Sequence, residues 1–162
     1  MHNNDIVRRL QYIFNINSKD MMTIFKLGGL VLDKQTYLAI MAKPDQDSAR
    51  DAQLSRHDLE KFMNGLIISQ RGHKTNPDGS IVAPDYSMQR DNDINNVVIK
   101  KIKIAMAYTN EDLLGFWAAA DFKVTKGEVG AMLRRKLHPK YLVVGDQFMR
   151  KLLMGMANSL RG

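Results

Sequence analysis

The densest gathering of groups able to do chemistry in this chain is Arg134-Arg135-Lys136-Leu137-His138-Pro139-Lys140-Tyr141, where cations, an imidazole and a phenol follow one another closely. Such a run can grip a phosphate backbone through charge-assisted hydrogen bonds. Lys126 lies upstream, and Lys100 and Lys101 extend the patch if they face the same way. The candidate polyanion-binding set is therefore Lys100, Lys101, Lys126, Arg134, Arg135, Lys136 and Lys140. The same charges also suit a helix C-terminus, where the dipole favours cations, or a face that is merely solvated. Spacing does not separate these readings, and the solvated face is the commoner one.

Other chemistries find less support. His2, His57, His73 and His138 lack the i, i+4 pairing and carboxylate companions of a metal site, and there is no cysteine to supply thiolate ligands, a nucleophile or a disulfide. His138 and Asp146 are the one conceivable acid–base pair, better explained as a surface histidine and a helix-capping aspartate. Gly28-Gly29 is too short for a phosphate cradle and has no strand before it. The expectation is a noncatalytic protein with no metal and no cofactor.

The elements that must position these residues occur twice. Asn3-Asn4 followed by Arg8-Arg9 returns as Asn95-Asn96 followed by Lys100-Lys101, and Phe62-Met63-Asn64-Gly65-Leu66 returns as Leu152-Leu153-Met154-Gly155-Met156. This divides the chain into a first unit (1–72), a polar linker (73–94) and a second unit (95–162). In each unit apolar residues recur at helical spacing: Ile6, Leu10, Ile13 and Phe14 against Val98, Ile102, Ala105 and Met106 for the first helix. Asn17 and Thr109 cap a second helix, and Asp33 and Thr125 a third that runs to about Lys43 and Lys136. A longer fourth helix follows, with Leu59, Phe62, Met63, Leu66 and Ile67 inward in one copy and Met149, Leu152, Leu153, Met156 and Ala157 in the other. No strand pattern competes. The predicted fold is all-α, two tandem copies of a roughly four-helix unit packed as a pseudo-twofold helical bundle.

Glycine in the middle of the last helix, at Gly65 and Gly155, costs such a helix roughly 1 kcal/mol relative to alanine. Close packing offsets that, and the expected contact is between the two copies across the pseudo-twofold interface. Of the eleven methionines, Met21, Met41, Met63, Met132, Met149 and Met156 fall on core stripes, while Met22, Met88 and Met154 are candidates for an exposed, adaptable binding surface. The linker, His73 to Asp93, is rich in turn formers and resembles a spacer.

Net charge is +7 and uneven. Residues 95–162 hold twelve Lys or Arg against five Asp or Glu, residues 1–72 ten against eight, and the linker two against four. The second and third helices of each unit also have the length and break of a helix-turn-helix, with Lys126, Arg134, Arg135 and Lys136 as the basic residues of the second. Any small bundle has such corners. No signal peptide opens the chain and no apolar run reaches the length of a membrane span, so a cytoplasmic protein with no membrane contact is expected.

Asn3-Asn4-Asp5-Ile6, Phe62-Met63-Asn64-Gly65-Leu66-Ile67 with Arg71-Gly72, the restart Asn95-Asn96-x-Val98, and His138-Pro139-Lys140-Tyr141 leading to Gly145-Asp146-Gln147-Phe148-Met149-Arg150 together resemble the YehS-like family of small bacterial proteins. The resemblance covers nearly the whole chain, least so in the linker and the loop from Pro44 to Ser55. It implies a duplicated, all-helical, cytoplasmic bacterial protein, and it brings no activity, cofactor or catalytic residue with it. Two functions are then weighed: a noncatalytic interaction or regulatory module with a protein partner or a second copy of itself, which is preferred, and a nucleic-acid-binding protein using the basic second unit. The first calls for an exposed apolar patch containing methionine, the second for a contiguous positive face.

Overall fold

The structure, a computed structural model, describes residues 1–43 and 53–162; most of the loop from Pro44 to Ser55 lies outside the described residues. Among the described residues the chain is all-helical. The first unit comprises α1 (Asn3–Ile13), α2 (Ser18–Leu27), α3 (Lys34–Met41) and α4 (Arg56–Arg71). The second comprises α5 (Ile94–Met106), α6 (Asn110–Ala119), α7 (Lys126–Met132) and α8 (Asp146–Arg161), with one 3-10 turn, Asp91–Asp93, before α5.

Local sequence explains where these helices start. Asn17 Oδ1 accepts the Asp20 N–H at 2.8 Å and Asp33 Oδ1 that of Thr36 at 2.7 Å. Thr109 and Thr125 form reciprocal capping boxes with Asp112 and Glu128, each satisfying donors that a helix N-terminus leaves unpaired. The duplication extends to the backbone: α1 and α5 are both followed by a left-handed residue, Asn15 and Ala107, and α2 and α6 by another, Gly29 and Asp121.

The third helices are shorter than their pattern suggests, ending at Met41 and Met132 and not at Lys43 and Lys136. The Asn-Asn pairs hold these ends in place. Asn96 donates to the Met132 carbonyl at 3.0 Å and to Leu142 O at 2.8 Å, while its own Oδ1 accepts the Val144 N–H at 2.9 Å. Asn4 does the same work in the first unit, donating to Ile40 O at 3.0 Å and accepting from Leu54 N–H at 2.8 Å. The carbonyl that would receive the next turn of α7 is thus taken by a side chain of α5, and the loop into α8 is clamped against it. Asn3 adds a bond to Leu54 O, and Asn95 adds two, to Val144 O and Asp146 Oδ1.

Within each unit the second helix packs on the fourth, α2 on α4 and α6 on α8. Between units the packing is reciprocal: α1 lies on α8, and α5 lies on α4. Each copy's first helix therefore completes its core against the other copy's last helix, and one continuous core runs through both, including Leu10, Phe25, Phe62, Ile102, Trp117 and Leu152. Trp117 satisfies its indole N–H on Phe148 O at 2.9 Å.

The mid-helix glycines do permit close approach, but inside each unit and not between them. A Cβ on Gly65 would strike the Ile24 carbonyl of α2, and one on Gly155 the Phe116 carbonyl of α6. Gly28 faces Lys61 O and Gly65 N in the same crossing, so α2 and α4 meet backbone to backbone. The copies meet instead through the first helices. Because the obstructing atoms are backbone, Gly155→Ala should lower stability by about 3 kcal/mol. Gly115→Ala, where an added Cβ meets nothing within 4 Å, should raise it by about 0.5–1 kcal/mol. Urea denaturation followed by circular dichroism distinguishes the two, and equal midpoints would refute the packing account.

Candidate functional site

The reciprocal packing creates two equivalent seams. In the α4/α5 seam Lys101 is 4% exposed, buried against α4, and its Nζ lies 2.8 Å from Glu60 Oε2 and donates to Asn64 Oδ1 at 2.6 Å and to Asp85 O at 2.6 Å. Glu60, 1% exposed, also accepts the Ser87 and Met88 N–H groups at 2.8 and 2.9 Å, and Asn64 donates to Asp85 O at 2.9 Å. A buried ammonium and a buried carboxylate each lose several kcal/mol of hydration, which the mutual attraction and these added bonds offset.

The linker is therefore latched along the seam. Its peptide at Asp85 to Met88 is held by three side chains, Met88 is buried, and Thr75 and Ile81 form an isolated antiparallel bridge. Between linker and helices lies a cleft of about 500 Å³ floored by Ile67, Val97 and Ile104, with Arg71, Lys74 and Lys100 at its edge.

The equivalent α1/α8 seam holds no linker. It is an open groove of about 360 Å³ lined by Arg9, Tyr12, Ile13, Leu153, Met154 and Ala157, together with Arg8. Tyr12 is 58% and Met154 45% exposed. Arg161 sits over the Tyr12 ring, 5.3 Å from its centre, at one end of the groove. Arg8 is engaged by Asp5 and by Ala42 O. Of the three methionines expected at the surface, Met154 is exposed, Met22 is half-buried and Met88 is in the core.

The seven basic candidates are not one face. Lys101 belongs to the buried seam and is removed from any polyanion surface. Lys136 is bound to buried Asp93, 2.9 Å from either carboxylate oxygen, and Lys126 pairs with Glu111 at 3.4 Å. Lys100, Arg134, Arg135 and Lys136 do share a depression of about 120 Å³ that also touches Asp93 and Tyr141, while Lys140 is exposed on the same turn. Arg134 to Lys136 stand beyond the end of α7, a helix of seven residues, so the corner does not carry them on a recognition helix. The conceivable His138–Asp146 pair is separated: His138 Nδ1 accepts the Lys140 N–H, and Asp146 accepts from Asn95 and the Met1 amino group. No cluster of His, Asp or Glu able to hold a metal occurs among the described residues, nor any helix long and apolar enough to cross a membrane.

Comparison with known proteins agrees with the duplicated architecture. A family described as a protein of unknown function, DUF1456, matches twice, over residues 3–72 and 95–162. The chain belongs to this family. The uncharacterized protein YehS of Escherichia coli strain K12 is similar to it, 31% identical over 157 residues that span 97% of this chain and 95% of that protein. No solved structure matches. Each matched segment of this chain contains one Asn-Asn clamp and one mid-helix glycine at a backbone crossing.

The buried seam was not apparent from sequence, because Glu60 and Lys101 sit on different helices with no spacing that links them. One signal was present: Glu60 and Asn64 are polar positions in the buried surface of a helix whose counterpart carries Arg150 and Met154. Lys101→Met should cost about 3–5 kcal/mol by stranding Glu60, and Glu60→Gln should loosen the linker as well. Hydrogen exchange would register this as faster exchange at the Ser87 and Met88 amides, and unchanged protection in Glu60→Gln would refute the latch.

Asp93 offers a pH test. Burial raises its pKa, but bonds from Lys136 and the Arg90 and Gln89 N–H groups, with the charge of Lys136, outweigh that and hold the carboxyl below its ordinary value. A depressed carboxyl contributes stability that is present above the unfolded-state value of about 4 and lost as pH falls through the folded value. The stability difference between the wild type and Asp93→Asn should therefore be largest near neutrality and shrink below about pH 4. Urea midpoints at a series of pH values measure it; a constant difference would show that the ion pair contributes nothing.

Proposed function

We propose that this chain is a noncatalytic interaction module of the bacterial cytosol that docks a segment of a partner protein in the α1/α8 groove. The observation that carries this reading is the pairing of seams: the α4/α5 seam binds a peptide segment, the chain's own linker, and the equivalent groove is open, apolar and contains an exposed methionine. Methionine and tyrosine are suited to such a surface, the first adaptable and the second presenting a large area with little conformational freedom to lose.

A second reading, nucleic-acid binding, is supported by the shared depression of Lys100, Arg134, Arg135 and Lys136, and weakened by the carboxylates that engage Lys101, Lys126 and Lys136. Affinity capture from bacterial lysate separates the two. Proteins retained by the wild type and by Lys100→Ala should be lost with Tyr12→Asp and Met154→Asp. Identical capture by all four proteins would refute groove docking, and salt-sensitive binding of labelled DNA or RNA that disappears in Arg134→Ala/Arg135→Ala would establish the second reading in its place.

A further inference from the structure

We infer that the α1/α8 groove selects an acidic, extended segment, with cations at both positions where the α4/α5 seam pairs a carboxylate with an ammonium. This rests on the docking reading above and specifies its partner. The repeat aligns Glu60 with Arg150, Asn64 with Met154, Arg71 with Arg161, and Lys101 with Arg9. In the linker seam, the carboxylate of Glu60 takes two backbone N–H groups and the ammonium of Lys101 takes a backbone carbonyl. A peptide's uncharged backbone satisfies that pair, since acceptor and donor are both present and neutralise each other.

At the corresponding positions of α1 and α8 both side chains are guanidiniums. Arg9 lines the groove, and Arg150 is exposed one turn before Met154 on the same stripe of α8. Arg161 stands at one end over Tyr12. A guanidinium offers only donors, in a fork that matches a carboxylate. Among the described residues, no carboxylate lines the groove. Among the described residues, Asp5 is engaged by Arg8, and Asp146 by the Met1 amino group and Asn95, with the charge of Arg150 acting on it more weakly. The middle position, where Asn64 held the linker's carbonyl, is Met154, and beside it Ile13, Leu153 and Ala157 make an apolar floor. The groove therefore calls for carboxylates at its arginines with an apolar side chain between them, and an extended segment delivers such residues to one face at alternate positions.

Selection of short random displayed peptides against the full chain, followed by fluorescence anisotropy of the selected sequences, tests this. Enriched peptides should carry Asp or Glu flanking an apolar residue. Their affinity should fall about tenfold or more in Arg9→Glu/Arg150→Glu, stay unchanged in Lys100→Ala, and return in the double variant when the peptide's acids are replaced by lysine. That charge exchange also shows the variant to be folded. Neutral or basic peptides lost in Met154→Asp but indifferent to Arg9→Glu/Arg150→Glu would overturn the acidic inference and leave groove docking standing. Peptides indifferent to every groove substitution would overturn both. A dimer in sedimentation that the arginine variant dissociates would overturn the inference by making a second copy the occupant.

Discussion

An ammonium group out of water has to be answered by other atoms, and the atoms that answer Lys101 come from two other parts of the chain. Lys101 is on the second unit, Glu60 and Asn64 are on the first, and Asp85 is in the linker. Placing that charge sets how α5 lies along α4, and it draws the linker onto the seam. It also orders the segment at Gln89 and Arg90 indirectly, because their N–H groups end on Asp93 immediately after the latched peptide. Replacing Lys101 and Glu60 together by apolar side chains would relieve the hydration cost and remove the bonds that hold the linker.

The duplicated units share a scaffold and divide their chemistry. The features repeated faithfully are mechanical: the Asn clamps, the backbone crossing at Gly65 and Gly155, the left-handed residues after α1, α2, α5 and α6. The positions that diverge are those facing the seams, where Glu60, Asn64 and Lys101 stand opposite Arg150, Met154 and Arg9. Two equivalent seams with different linings are the result, one occupied by the chain's own linker.

Much of the architecture was legible in the amino-acid order because local rules govern it. Asn17, Asp33, Thr109 and Thr125 announce helix starts through contacts three residues away, and the apolar stripes of α4 and α8 are buried as their periodicity indicates. What sequence could not convey was direction. Gly65 and Gly155 signalled close approach without naming the neighbour, which proved to be α2 and α6. Arg134 to Lys136 extended a plausible helix that stops at Met132, where Asn96, many residues away, takes the carbonyl. Lys101 belongs by sequence to a basic pair beside Lys100, and only the crossing of α5 over α4 separates a buried member from an exposed one.

The reciprocal packing also sets an order of events during synthesis. α1 leaves the ribosome long before α8, the helix that covers part of its apolar face. Until α8 emerges, Val7, Leu10 and Ile13 have only first-unit neighbours to shelter them, so the early chain carries a sticky stripe through most of its translation. Closure of the bundle waits on contacts between its two ends, the kind of distant pairing that slows folding.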